Sequence, residues 1–156
     1  MPQPVGYMER TRKYYKAQGF DKPYEWATFK EVPFAALKKP LSKSRVGLIT
    51  TAALYDREAS DPRFVDSFST SAPPKRLYAN DLSWDKNATH LNDRESYLPL
   101  HGLSEAINSG LIEGITPQFH CAPTEYSIRR TMTHDAPELL SRLQRDQADI
   151  ALLVPL

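Results

Sequence analysis

The residues with the most chemical potential in this chain are few, and most are single. His120 and Cys121 are neighbours, joining an imidazole that can hold a proton to the only thiol of the sequence. The pair admits two readings: an acid/base and thiol element facing a crevice, or a small buried cysteine beside a structural histidine. His90, near Asp93 and Glu95, has the composition of a proton shuttle or of a group that orients a carboxylate, and equally that of a solvated loop histidine. Arg76, Arg129 and Arg130 can bind a substrate carboxylate through two parallel hydrogen bonds, or simply solvate the surface. His101 and His134 flank helix starts and suit local hydrogen bonding. No His-x-x-x-His or Cys-x-x-Cys spacing occurs, so no metal site is expected. Gly-x-Gly-x-x-Gly, the Walker loop and Gly-x-Ser-x-Gly are also missing, which leaves no expected cofactor-binding residues and no serine-hydrolase elbow.

The elements that must position these groups read as α/β. Tyr7 to Gln18 consists of helix formers and closes on Gly19, suited to the left-handed position after a helix. Its Tyr7, Met8, Tyr14 and Tyr15 make an apolar stripe, either packed on the domain or used as a subunit contact. Val46 to Leu54 is an apolar, β-branched run that predicts a strand covered on both faces, as in parallel sheets. The polar stretch 56–74 predicts a poorly ordered or lid-like loop. A short strand is expected near 76–79, a loop over 80–99, a helix over 103–109 ending at Gly110, and a strand over 111–116 stopped by Pro117. Asp135-Ala136-Pro137-Glu138 reads as a capping box opening a helix. Ala136, Leu139, Leu140 and Leu143 form its apolar face, with Arg142, Arg145 and Asp146 on the opposite face. Ile150 to Val154 then predicts a buried strand near the middle of the sheet.

The expected fold is therefore α/β, with a mainly parallel, doubly wound sheet of the Rossmann-like or flavodoxin-like kind. Residues 1–45, with Pro2, Pro4, Pro23, Pro33 and Pro40, form an N-terminal helical, Pro-rich arm, and residues 46–156 form the domain. Because a central strand at the end lacks a following crossover helix, that domain reads as incomplete, truncated at its last strand.

Charge narrows the partners. Twenty basic and nineteen acidic residues leave a net charge of +1, which gives no electrostatic basis for nucleic acid or anionic lipid. No apolar run is long enough to span a membrane, a single cysteine makes no intrachain disulfide, and no basic-then-apolar leader opens the chain. The expected compartment is the cytoplasm.

Tyr7-Met8-Glu9-Arg10-Thr11-Arg12, Lys22-Pro23-Tyr24, Arg76-Leu77-Tyr78, Leu82-Ser83-Trp84-Asp85, Ala88-Thr89-His90, Pro123-Thr124-Glu125-Tyr126-Ser127 and Ala151 to Pro155 together carry a resemblance. Through them the chain resembles the selenoprotein B family of glycine, sarcosine, betaine and D-proline reductases, over nearly its whole length. The resemblance implies reductive cleavage of a C–N bond in glycine, an N-methyl derivative or D-proline, with a disulfide as acceptor. It also implies a partner subunit that bears a pyruvoyl group, with homo-oligomer formation a further possibility. In that family a selenocysteine or cysteine, two residues and a second cysteine follow the strand matching Ile150 to Pro155. The catalytic nucleophile is accordingly expected beyond Leu156, and the 156 residues alone are expected to be inactive. A noncatalytic subunit that docks a partner is the alternative. The family has a small residue in place of Cys121, which weakens a catalytic role for that thiol.

Overall fold

The structure, a computed structural model, describes residues 6–23, 25, 27–33, 35–56, 58, 60–79, 87 and 90–156. The chain divides into two units, 1–34 and 35–156. Within the first, Tyr7–Ala17 forms helix α1. Gly19, at φ 86°, takes the left-handed position, while Gly19 N donates to Lys16 O (3.1 Å) and Phe20 N to Tyr15 O (3.2 Å), satisfying the last carbonyls. Tyr15 meets Tyr14 and Phe20 edge to face at 6.0 and 5.6 Å. Tyr7 and Tyr14 remain exposed.

In the second unit, the β-branched, apolar run becomes strand β1, Arg45–Thr50, buried from Val46 onward. It pairs in parallel with β3 (Gly114–Ile115), β4 (Gln118–Cys121) and β5 (Ile150–Val154), while β2 (Asp66–Ser69) runs antiparallel to β4. The fold is thus mixed α/β with an open, mostly parallel sheet. Its register steps from Val46↔Ile115 to Ile49↔His120, three positions along β1 against five along its neighbour. Thr116 and Pro117 are the two extra residues, and Thr116 Oγ1 donates to Gln118 O at 2.7 Å to hold the kink. β3 and β4 therefore make one broken strand along a single flank of β1, and β5 takes the other flank.

That placement corrects the expectation for Ile150 to Val154. β5 lies at the sheet edge, with Leu152 37% and Leu153 57% exposed, because β1 is its one partner among the described residues. Its two ends are pinned: Asp149 Oδ2 accepts from Arg45 N and Lys39 Nζ, each at 2.8 Å, and Leu156 N donates to Thr51 Oγ1 at 2.7 Å. The apolar composition had suggested burial on both faces, but composition carries no information about strand order.

One face of the sheet packs on helix α2, Leu100–Asn108, and the turn at Arg94–Ser96. Leu48, Ala52, Leu77, Tyr97, Leu98, Phe119 and Cys121 form the core there, with Leu103 and Val154 at its margin. The other face meets helix α4, Ala136–Arg145. Contact is close, since a Cβ on Gly47 would overlap Leu143 Cδ2 and come within 3.0 Å of Ala148 Cβ. A side chain at position 47 would lift the helix.

Four further expectations change. The helix does not begin at Asp135: Ser127 caps the short helix α3, Ile128–Arg130, by accepting from Arg130 N at 3.2 Å, and a π turn at Thr131–Asp135 leads on into α4. Pro137 lacks the N–H that would continue the regular ladder, which accounts for the wider turn before it. Asp135 itself is helical and buried, and it holds Arg63 instead of capping. Of the expected apolar face, Leu143 alone is buried and Leu140 is exposed. The expected lid at 56–74 contains β2, whose alternation of Asp66 and Phe68 with Ser67 and Ser69 is strand-like though mostly polar. At 76–79 the structure has only a bridge between Ala53 and Tyr78. Residues 80–86, 88 and 89 of the expected loop, 57 and 59 of the lid, and 1–5, 24, 26 and 34 of the arm lie outside the described residues.

Candidate functional site

Because side chains alternate along a strand, His120 and Cys121 point to opposite faces of β4. Cys121 faces the α2 core and is 1% exposed. Burial, with a smaller contribution from the Asp66 carboxylate, pushes its thiol up to about 12, so almost no thiolate exists at neutral pH. The sequence pair is not a structural pair.

His120 faces α4 and is fully buried. Cross-strand pairing of Ser67 with His120 brings Ser67 Oγ to 2.8 Å from His120 Nδ1. Arg142, from α4, donates through Nη1 to the same Oγ at 2.6 Å and through Nε to Glu138 Oε1 at 2.7 Å. On the far side of the imidazole, Nε2 stands 3.5 Å from Asp146 Oδ2, and neither atom has a hydrogen-bond partner. The bonding pattern selects the tautomer. Nε2 faces the Asp146 carboxylate, which can only accept, so the ring hydrogen belongs on Nε2; Nδ1 then accepts from the Ser67 hydroxyl, whose oxygen in turn accepts from Arg142. Burial lowers the His120 pKa, opposed by Asp146 and reinforced by the Arg142 and Arg145 charges, and holds the ring neutral.

Sequence reasoning identified His120 and missed Ser67, Arg142 and Asp146. Glu138, Arg142 and Asp146 recur every four residues along one stripe, of which, read from sequence, Glu138 belongs to the capping box and Arg142 and Asp146 lie opposite the apolar face. Of that stripe, Arg142 and Asp146 reach the polar face of the sheet. The signal was present in the spacing, but only the strand pairing shows what it meets.

The remaining candidates are dispersed. His90 is exposed, and its Nδ1 accepts from Asn92 N at 3.3 Å. Arg76 lies over the Tyr78 ring at 5.3 Å. Arg129 is exposed at α3, where Arg130 Nε pairs with Glu125 Oε2 at 3.4 Å. Missed as well was Arg63, which donates to Asp135 Oδ1 at 2.8 Å and through Nε to Pro123 O, clamping the loop after β4 to the π turn. A recess of about 200 Å³ lined by Ala35, Lys39, Ser44 and Asp149 lies at the amino ends of β1 and β5, the wrong end for the chemistry of a parallel sheet. Among the described residues no three of His, Cys, Asp and Glu are grouped as a metal ion would need, and no helix is long and apolar enough to cross a membrane. No family model, no curated protein and no solved structure matches the chain.

Proposed function

We propose that this chain is a component of a selenoprotein B-type reductase that cleaves a C–N bond of glycine, an N-methyl derivative or D-proline, working in the cytoplasm with a pyruvoyl-bearing subunit. The sequence blocks carry the family reading, and one structural observation supports it: β1, β4 and β5 are parallel, so their carboxyl ends share one edge. Active groups of α/β sheets gather at that edge. Helices on the two faces of the sheet favour a doubly wound arrangement of the Rossmann-like kind. In this reading Cys121 is not the nucleophile, since a thiol pushed up to about 12 lacks the ionised form that attacks. The selenol or thiolate is supplied beyond Leu156, as the resemblance implies, next to the end of β5 that Thr51 pins. Arg76, Arg129 and Arg130 are the carboxylate anchors available to it, and His90 and His120 the proton carriers. The chain by itself then gives no dithiol-dependent turnover of glycine, sarcosine, betaine or D-proline. Fusing a Cys-x-x-Cys helix after Leu156 and adding the pyruvoyl subunit should produce turnover, and failure of that reconstituted pair on all four substrates would refute the proposal.

The noncatalytic alternative draws on the exposed aromatic stripe of α1 and the open edge of β5. It predicts capture of the pyruvoyl subunit, or assembly into a homo-oligomer, without turnover after the same fusion.

A further inference from the structure

The Ser67, His120, Asp146 and Arg142 cluster needs no cysteine, no selenol and no second subunit. It contains a hydroxyl, a neutral base in hydrogen-bond contact with it, a carboxylate behind the base and a cation beside the hydroxyl. We propose that Ser67 is a nucleophile that accepts an acyl group from a small ester or thioester and passes it to water. This activity does not depend on the reductase reading, although His120 figures in both.

The geometry supplies each role. Ser67 Oγ and His120 Nδ1, at 2.8 Å, are within proton-transfer distance. The lone pair of Nδ1 is free for that proton because Nε2 carries the ring hydrogen, which faces Asp146. His120 is fully buried, so its ring cannot turn to water, and its environment keeps it in the unprotonated form that a base requires. Charges of opposite sign surround it: Asp146 favours the imidazolium that forms during attack, whereas Arg142 and Arg145 disfavour it. Arg142 donates to Oγ at 2.6 Å, which eases loss of the Oγ proton and keeps a positive charge beside the atom that attacks. Ser67 is half-buried on β2, the edge strand opposite β5, so the approach open to an acyl group is from the side of the sheet.

The steps balance. As Oγ bonds to the carbonyl carbon, its proton moves to Nδ1, and the carbonyl electron pair moves to an oxygen beside the Arg142 guanidinium. Collapse of that adduct expels the alcohol or thiol, which takes the proton from Nδ1. Water then attacks the Ser67 ester by the reverse sequence, giving a carboxylic acid and free Ser67. With Arg142, already bonded to Oγ and Glu138, as the cation nearest the nucleophile, the site suits acyl donors with good leaving groups.

The experiment uses the 156-residue chain with a fluorophosphonate probe and with p-nitrophenyl acetate. Intact mass and peptide mapping should place one probe on Ser67, and p-nitrophenolate should appear in a burst. Ser67→Ala should abolish the label and the burst while far-UV circular dichroism stays near wild type, the melting temperature falling only as far as one lost partner of His120 requires. Ser69→Ala should leave both signals intact. His120→Gln should slow labelling by about 100-fold or more, and Asp146→Asn less. A structural polar cluster would not give a labelling rate that rises with pH through a midpoint below 6.5, which the lowered His120 pKa requires. Absence of label, label on another serine, or equal rates in wild type and Ser67→Ala would each overturn the assignment.

Discussion

His120 and Cys121 share a peptide bond, yet they belong to two different environments. The face of the sheet under α2 is mostly apolar, with Thr50 and Asp66 its polar members beside Cys121, and Phe119 and Cys121 extend it from β4. The face under α4 carries Ser67, His120 and the reach of Arg142 and Asp146. On the first face burial turns a nucleophile off, because nothing near Cys121 favours its thiolate and Asp66 disfavours it. On the second, burial comes with donors and acceptors in sequence, so the same loss of water leaves a base in working form. What separates the two is that His120 Nδ1 has the Ser67 hydroxyl against it and Nε2 a carboxylate 3.5 Å away, whereas the Cys121 thiol has an apolar core and the Asp66 carboxylate, like-charged to its thiolate.

The largest effect expected from breaking this contrast comes on the apolar face. Phe119→Ala removes a fully buried ring beside Leu48 and should lower unfolding stability by about 3–5 kcal/mol, measured by urea denaturation. A loss under 1 kcal/mol would show that the core is not where the structure puts it. Arg63→Ala comes next, because it strands the Asp135 carboxylate, whose side chain is 9% exposed, against an emptied site; about 3 kcal/mol is expected. Gly47→Ala tests the polar face, where the new methyl would push on Leu143 and Ala148. It should destabilise by about 1–3 kcal/mol and loosen α4, read as faster amide exchange along 138–146.

Protonation affects the two faces differently. His120 has a lowered folded-state pKa, so in the window just below 6.5 the unfolded chain binds a proton that the folded chain refuses. Stability should therefore fall as pH drops below 6.5 and go on falling until the folded-state value is reached. His120→Gln should flatten that slope, as the change in melting temperature between pH 7 and pH 5 would show. An unchanged slope would mean that His120 titrates normally and that its contacts do not hold.

Sheet membership of β1 and β5 was legible from their apolar, β-branched composition, and α1 from its helix formers and Gly19. The edge position of β5 was not, since order depends on which flank of β1 the broken β3 and β4 strand occupies. β2 was hidden because a strand alternating Ser67 and Ser69 with Asp66 and Phe68 has little apolar contrast. Helix α4 began earlier than its Asp and Pro suggested, because Asp135 found Arg63 across 72 residues of chain and so was not free to cap. His120 could be picked out as a titratable group, but its partners came from β2 and α4, and only pairing register connects them. For the same reason the missing Gly-x-Ser-x-Gly elbow excluded one scaffold for serine chemistry and left other scaffolds open.

The smallest effect concerns Cys121, and it tests the comparison most directly. A thiol at about 12 in a dry core should react with a maleimide at pH 7.5 only as fast as the protein opens, whereas guanidinium-unfolded chain should react at the rate of an ordinary cysteine. Adding denaturant below the unfolding midpoint should raise the rate in step with the opening equilibrium. Cys121→Ala should cost about 1 kcal/mol, since it deletes one buried sulfur and leaves no polar group behind. It should also leave fluorophosphonate labelling of Ser67 unchanged, although position 121 adjoins His120 in the chain. If Cys121→Ala instead altered that labelling, the two faces would be coupled through β4 and the separation drawn here would fail. Rapid native-state alkylation would be equally decisive, because it would place the thiol in water and remove the reason for looking beyond Cys121 for a nucleophile.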